Sequence, residues 1–86
     1  MILRVVTPTK TLVDSEVAEV TAPGVAGQSG ILPQHATFLG QLEAGLVAFT
    51  ASGKRERIVI SGGYAEVVDD VITILADDAE FAESID

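Results

Sequence analysis

Gly45-Leu-Val-Ala-Phe-Thr-Ala-Ser-Gly-Lys-Arg-Glu-Arg-Ile-Val-Ile-Ser61 is a pair of β-like runs around a turn. Gly45–Ala51 and Arg55–Ser61 read as the two arms of a hairpin, with Ser52-Gly53-Lys54 connecting them. In the second arm Arg55, Arg57 and Val59 face one way, while Glu56, Ile58 and Ile60 face the other. Side chains of a strand alternate between faces, so this arm has one face for water and one for a core.

The same grammar extends in both directions. Gly63–Val68 and Val71–Ala76 form a second hairpin, joined by the tight Asp69-Asp70 turn. Ile2–Thr7 is a strand ended by Pro8-Thr9-Lys10; Thr11–Val13 and Glu16–Ala22 follow, the latter alternating with period two. Pro23-Gly24 opens a glycine-punctuated loop that runs to Pro33. Short strands spaced by roughly eight to twelve residues predict an all-β fold, an antiparallel sandwich or barrel. Only the tail differs. Asp77 is placed to cap a helix with Glu80 three residues on, and Phe81 and Ile85 would share a helical face. So short a helix is marginal in water, and at most a short C-terminal helical turn is expected.

Eighty-six residues make one small domain, 1–86, with no linker or internal repeat. Net stability on the order of 4–13 kcal/mol leaves little room for a deep pocket hollowed from the core. Hydrophobic content of 48% against 21% charged residues marks a folding chain. A formal net charge of −8 disfavours nucleic acid and anionic lipid, which need clustered lysine and arginine. Cysteine is absent, which excludes disulfides and thiolate chemistry. No apolar run approaches the ~20 residues of a membrane span, and Met1-Ile-Leu-Arg4 lacks the basic start of a signal peptide. A soluble, intracellular chain without direct bilayer insertion is expected.

Gly27-Gln-Ser-Gly-Ile-Leu-Pro-Gln-His-Ala36 sets Ile31 and Leu32 between a glycine and a proline, with the sole histidine, His35, three positions further on. Pro33 fixes its own φ and pushes Leu32 toward an extended shape. The expectation is a stiff surface loop that displays both aliphatic side chains, suited to docking. Gly24, Gly27 and Gly30 mimic a phosphate cradle, but no lysine follows and no helix opens there. His35 has no oriented carboxylate or nucleophile-elbow serine in pattern, and a lone histidine without cysteine makes a poor zinc site. Asp77, Asp78, Glu80, Glu83 and Asp86 lack calcium-loop spacing and its glycine. No catalytic residue, metal or cofactor is expected. Ser61-Gly62-Gly63, between strand-like runs, suits either a close approach of backbones or a flat seat for a partner.

Val5-Val6-Thr7-Pro8, Gly30-Ile-Leu-Pro-Gln-His35, Ser61-Gly62-Gly63-Tyr64-Ala65-Glu66-Val67 and Leu75-Ala-Asp-Asp-Ala-Glu80 occur in an order that resembles one family. That family is the N-terminal domain of the epsilon subunit of F-type ATP synthases, and the resemblance runs from Leu3 to Asp86. It implies a flattened sandwich of about ten strands. It further implies a non-catalytic rotor (central-stalk) subunit that couples the gamma subunit to the c-ring for ion-driven ATP synthesis. Carried over by position, Gln28, Ser29, Gly30, Ile31, Leu32 and His35 would meet the c-ring. Thr7, Ala36, Phe38, Leu39, Ser61, Gly62 and Gly63 would lie toward gamma. The place implied is the cytoplasmic face of the bacterial plasma membrane, as a peripheral part of the complex.

The chain departs from the family twice. Gln28 and Ser29 stand where glutamate and an apolar residue are common, so docking would rely on shape more than charge. Family members also continue into a C-terminal helical hairpin. Here 77–86 would be only its start, ending in Ile85-Asp86, where an ATP-linked motif begins; ATP sensing is expected to be absent. Two other readings stand beside this one: a free-standing small-ligand-binding β module with the glycine loop as lid, and a small hydrolase using His35. The isolated domain is expected to be monomeric with an exposed apolar patch.

Overall fold

The computed structural model describes residues 1–24, 29–32 and 36–84. Ten strands follow in order: β1 (Ile2–Val6), β2 (Thr11–Glu16), β3 (Glu19–Pro23), β4 (Ser29–Ile31), β5 (Phe38–Leu42), β6 (Gly45–Ala51), β7 (Lys54–Ile60), β8 (Gly63–Val68), β9 (Val71–Ala76) and β10 (Ala79–Phe81). A 3-10 turn, Ala82–Ser84, comes last. The first sheet has the order β2-β1-β9-β8-β5 and the second β10-β7-β6-β3-β4. The all-β sandwich expected from the alternation is the fold observed.

The two hairpins that anchor the sequence reading are present. β6 pairs with β7 from Gly45↔Ile60 to Ala51↔Lys54, so the connection is Ser52-Gly53 alone and Lys54 already belongs to the strand. Ser52 and Gly53 have φ of 51° and 76°, and Asp69 and Asp70 have 51° and 65°. Positive φ at both central residues is the tight-turn geometry whose twist matches that of paired strands. Most pairs are antiparallel; β1 and β9 are parallel, from Ile2↔Val71 to Val6↔Leu75.

Glu16–Ala22 is not one strand. β2 ends at Glu16, Val17 N–H donates to Met1 O, Ala18 N–H donates to Thr50 O, and β3 begins at Glu19. The chain crosses there from one sheet to the other. Val17 and Val20, three residues apart, both enter the core, so the phase of the alternation shifts at the crossing.

The predicted helix start at Asp77 is also corrected. Ala79–Phe81 pairs with Ile58–Ile60 as an edge strand, and Asp78 Oδ1 accepts from Ala79 N–H at 3.0 Å. Pairing satisfies these backbone groups at once and buries Ala79, which a short, fraying helix could not do. Residues 85–86 lie outside the described ones.

Inward side chains of both sheets make one core. Leu3, Val5, Ala65, Val67, Ile72 and Ile74 come from the first sheet, and Val20, Val47, Phe49, Ile58 and Ile60 from the second. At about 1.5–3 kcal/mol per buried aliphatic or aromatic side chain, this core is the main stabilising term.

Candidate docking surface

The glycine-punctuated loop is partly strand. Ser29, Gly30 and Ile31 pair with Pro23, Ala22 and Thr21, which puts Ile31 on the outer side of the second sheet, 60% exposed. Leu32 corrects the expectation that both aliphatics are displayed: it is 1% exposed. Its N–H donates to Val20 O at 2.9 Å, so the chain stays extended beside β3 for one more residue. Neighbours in extended chain point opposite ways, and Leu32 therefore turns into the core where Ile31 turns out. Gln28 and His35 lie outside the described residues.

Ser61-Gly62-Gly63 is a corner between the sheets. Here the chain leaves β7 for β8, and beside it Asp77-Asp78 makes the reverse crossing from β9 to β10. Ser61 N–H donates to Asp78 O and Asp77 N–H to Gly62 O, both at 3.1 Å. Gly63 has φ +155°, and a Cβ on it would overlap the Leu75 carbonyl oxygen. The close approach of backbones is thus internal to the chain.

Thr7 likewise works within its own turn. Its buried hydroxyl accepts from the N–H groups of Thr9 and Lys10, at 3.3 and 3.2 Å, and its own N–H donates to Lys10 O. A side chain of this kind stabilises a turn by replacing backbone partners. What reaches the surface at that point is Val6, half-buried, and Pro8, exposed.

Register brings scattered outward residues together on the outer face of the first sheet. Val6 lies opposite Leu75, Leu75 opposite Tyr64, and Tyr64 opposite Gln41. Leu39, two residues before Gln41 on β5, is the diagonal neighbour of Tyr64, within reach of an aromatic ring. Val6–Leu75–Tyr64–Leu39 is thus an apolar diagonal across four strands; Leu39 is 75% exposed, and Tyr64 and Leu75 53% each. A shallow depression lined by Val6, Thr7, Pro8, Tyr64, Leu75, Ala76 and Asp77 opens at its β1 end. Carboxylates flank the diagonal: Glu66 lies opposite Leu39, Asp77 lines the depression, and Asp14, on β2, pairs with Arg4 at 3.8 Å.

Of the residues the sequence placed toward gamma, Thr7, Leu39 and Gly63 adjoin this diagonal. Ala36 is exposed in the segment before β5, and Phe38 turns inward against the core. Tyr64, Leu75 and Val6 were missed. Tyr64 had a signal, an aromatic residue at an outward position of β8; Val6 and Leu75 had none until β1 and β9 were known to pair.

Among the described residues no three His, Cys, Asp or Glu side chains cluster as metal ligands. No helix of the described residues is long and apolar enough to cross a membrane. Titration is perturbed at Met1. Desolvation opposes the charge of its ammonium, but hydrogen bonding and attraction from Glu16 and Asp70, at 3.3 and 3.4 Å, outweigh it and raise its pKa.

The fold is a two-sheet β-sandwich with an exposed apolar diagonal across one face. Residues 1–82 match the family described as ATP synthase, Delta/Epsilon chain, beta-sandwich domain, and the chain belongs to that family. It is 45% identical over 84 residues to the ATP synthase epsilon chain of Nitratidesulfovibrio vulgaris (strain DP4), covering 98% of this chain and 63% of that protein. The epsilon chain of Desulfitobacterium hafniense (strain Y51) gives 45% identity, with 98% and 64% covered. The chain therefore spans a little under two thirds of the length of these relatives.

Among solved structures, one of Euglena gracilis mitochondrial ATP synthase, OSCP/F1/c-ring, contains a chain that superposes with a TM-score of 0.87 at 30% identity. The match covers 100% of this chain and 56% of that one. A chain of the Tetrahymena thermophila mitochondrial ATP synthase central stalk/c-ring shares the fold, with a TM-score of 0.75 at 17% identity and 92% and 64% covered.

Proposed function

We propose that this chain is a non-catalytic rotor element of a membrane-associated ATP synthase, joining the gamma subunit to the c-ring. Residues 1–86 would be the N-terminal sandwich of an epsilon subunit, on the cytoplasmic face of the bacterial plasma membrane. The observation that carries the reading is the Val6–Leu75–Tyr64–Leu39 diagonal, in which Leu39, Tyr64 and Leu75 are each more than half exposed. Apolar side chains contiguous across four strands mark a protein-interaction site. Gamma is assigned to this face.

The acidic rim calls for a partner with basic residues around an apolar stripe, which would speed and orient docking. Ile31, at the second sheet's edge with Ser29 and Gly30, is assigned to the ring with Gln28 and His35. Leu32 contributes from within, by holding Ile31 outward. Rigidity suits a coupling element, because a compliant joint stores torque elastically; a core shared by both sheets supplies it.

Binding of the chain to the gamma subunit of its own ATP synthase, measured in pull-down and by calorimetry, tests the reading. Tyr64→Asp with Leu75→Asp is expected to weaken binding at least thirty-fold, about 2 kcal/mol. Undiminished binding by a folded double variant would overturn the assignment of gamma to this face.

A further inference from the structure

The four sheet edges are unequally protected. β4 and β10 are three residues each. β2 carries Asp14 and Glu16, and its pairing with β1 is bulged between Val5 and Val6. Short length, charges and bulges are the usual means of stopping another strand from adding to an edge.

β5 has none of them. Phe38-Leu39-Gly40-Gln41-Leu42 holds no charge and no proline, and it pairs with β8 in unbroken register from Phe38↔Val67 to Leu42↔Gly63. Among the described residues no strand of the sheet lies on its other side; the end of β3 approaches only past Gln41, where Glu43 N–H donates to Pro23 O at 3.2 Å. Leu39, the most exposed large apolar side chain among the described residues, belongs both to this edge and to the apolar diagonal.

We propose that β5 is a strand-addition site, and that an extended segment of the polypeptide covering the diagonal pairs along Phe38–Gln41 as a sixth strand of the first sheet. The inference rests on the docking reading above and takes gamma as the occupant. Continuity favours that choice: a polypeptide lying on Leu75, Tyr64 and Leu39 reaches the free edge at Leu39. A second copy is a poorer fit. Edge-to-edge pairing of two chains extends the sheet but leaves both diagonals in water, and brings together two molecules of formal charge −8. Main-chain pairing supplies what an apolar strip lacks, a fixed register between the partners.

Antiparallel pairing directs alternate residues toward β8, and since Glu43 N–H points away from β8 to Pro23 O, the amides of Leu39 and Gln41 face the free edge. Hydrogen exchange of the chain, alone and with gamma, reads them directly. Alone, alternate β5 amides are expected to exchange fast; with gamma, the same amides are expected to slow by about a hundred-fold or more. If gamma binds but those amides stay fast, strand addition is overturned while the docking reading stands. Absence of any binding overturns both. Protection that appears on concentrating the chain without gamma makes a second copy the occupant and also overturns the proposal.

Discussion

The outer faces of the two sheets follow the same alternation but present different chemistry. On the first sheet the outward positions of β1, β9, β8 and β5 place Val6, Leu75, Tyr64 and Leu39 in one strip with carboxylates around it. On the second, two of the chain's five basic residues, Arg55 and Arg57, occupy outward positions of β7, and Arg55 approaches Glu19 at 3.9 Å. Leu46 and Val59 oppose each other there, at 44% and 36% exposure, beside Ala48 and Arg57 on the next outward row. Identical backbone rules therefore leave the choice of partner to the outward residues, and those residues differ in both sign and extent.

The corner at Ser61-Gly62-Gly63 joins the two sheets and so holds both faces in place. Gly63→Ala tests this most severely, since its Cβ would meet the Leu75 carbonyl at a backbone angle unfavourable to L-residues. A loss of about 3 kcal/mol or more in denaturant unfolding is expected. A smaller contrast concerns two neighbours. Leu32→Ala should cost about 2–5 kcal/mol, whereas Ile31→Ala should stay within about 0.5 kcal/mol and act on ring association alone. Equal stability losses would mean that both residues are core.

The faces themselves are separated by a matched pair of double variants. Leu46→Asp with Val59→Asp should change gamma affinity less than about three-fold, against the thirty-fold or greater loss for Tyr64 and Leu75. Similar losses would mean that the two faces do not differ as binding surfaces. The gentlest test concerns the edge of the first sheet that Met1 clamps. The raised pKa of its ammonium makes the stabilisation complete below the ordinary α-amino range and lost as pH rises through the raised value. Melting temperature should fall modestly on that alkaline limb, and Glu16→Gln with Asp70→Asn should flatten it.

Much of the fold was legible because its signals are local. Turn residues between alternating runs defined the β6–β7 and β8–β9 hairpins nearly to the residue. Errors fell where two local readings competed. Glu16–Ala22 resembles one alternating run, and only the successive apolar pair Val17-Ala18 marks the shift of phase at the crossing. Asp77 and Glu80 make a fair helix start, yet the exposed edge of β7 offers Ala79–Phe81 a better set of partners. Ile31 and Leu32 were read as a pair on a loop, and only strand pairing with β3 shows that they must part.

The alternation of β-branched and polar residues, the turn chemistry at Ser52-Gly53 and Asp69-Asp70, and the glycines of the corner dictate an all-β domain on local steric grounds alone. Their order also carries the family. The docking face required long-range pairing: Val6 and Leu75 are far apart in the chain, and the parallel register of β1 with β9 makes them neighbours. Alternation tells which residues point outward, but not which strands lie side by side, because strand order reflects the burial of the whole core rather than any short stretch of it.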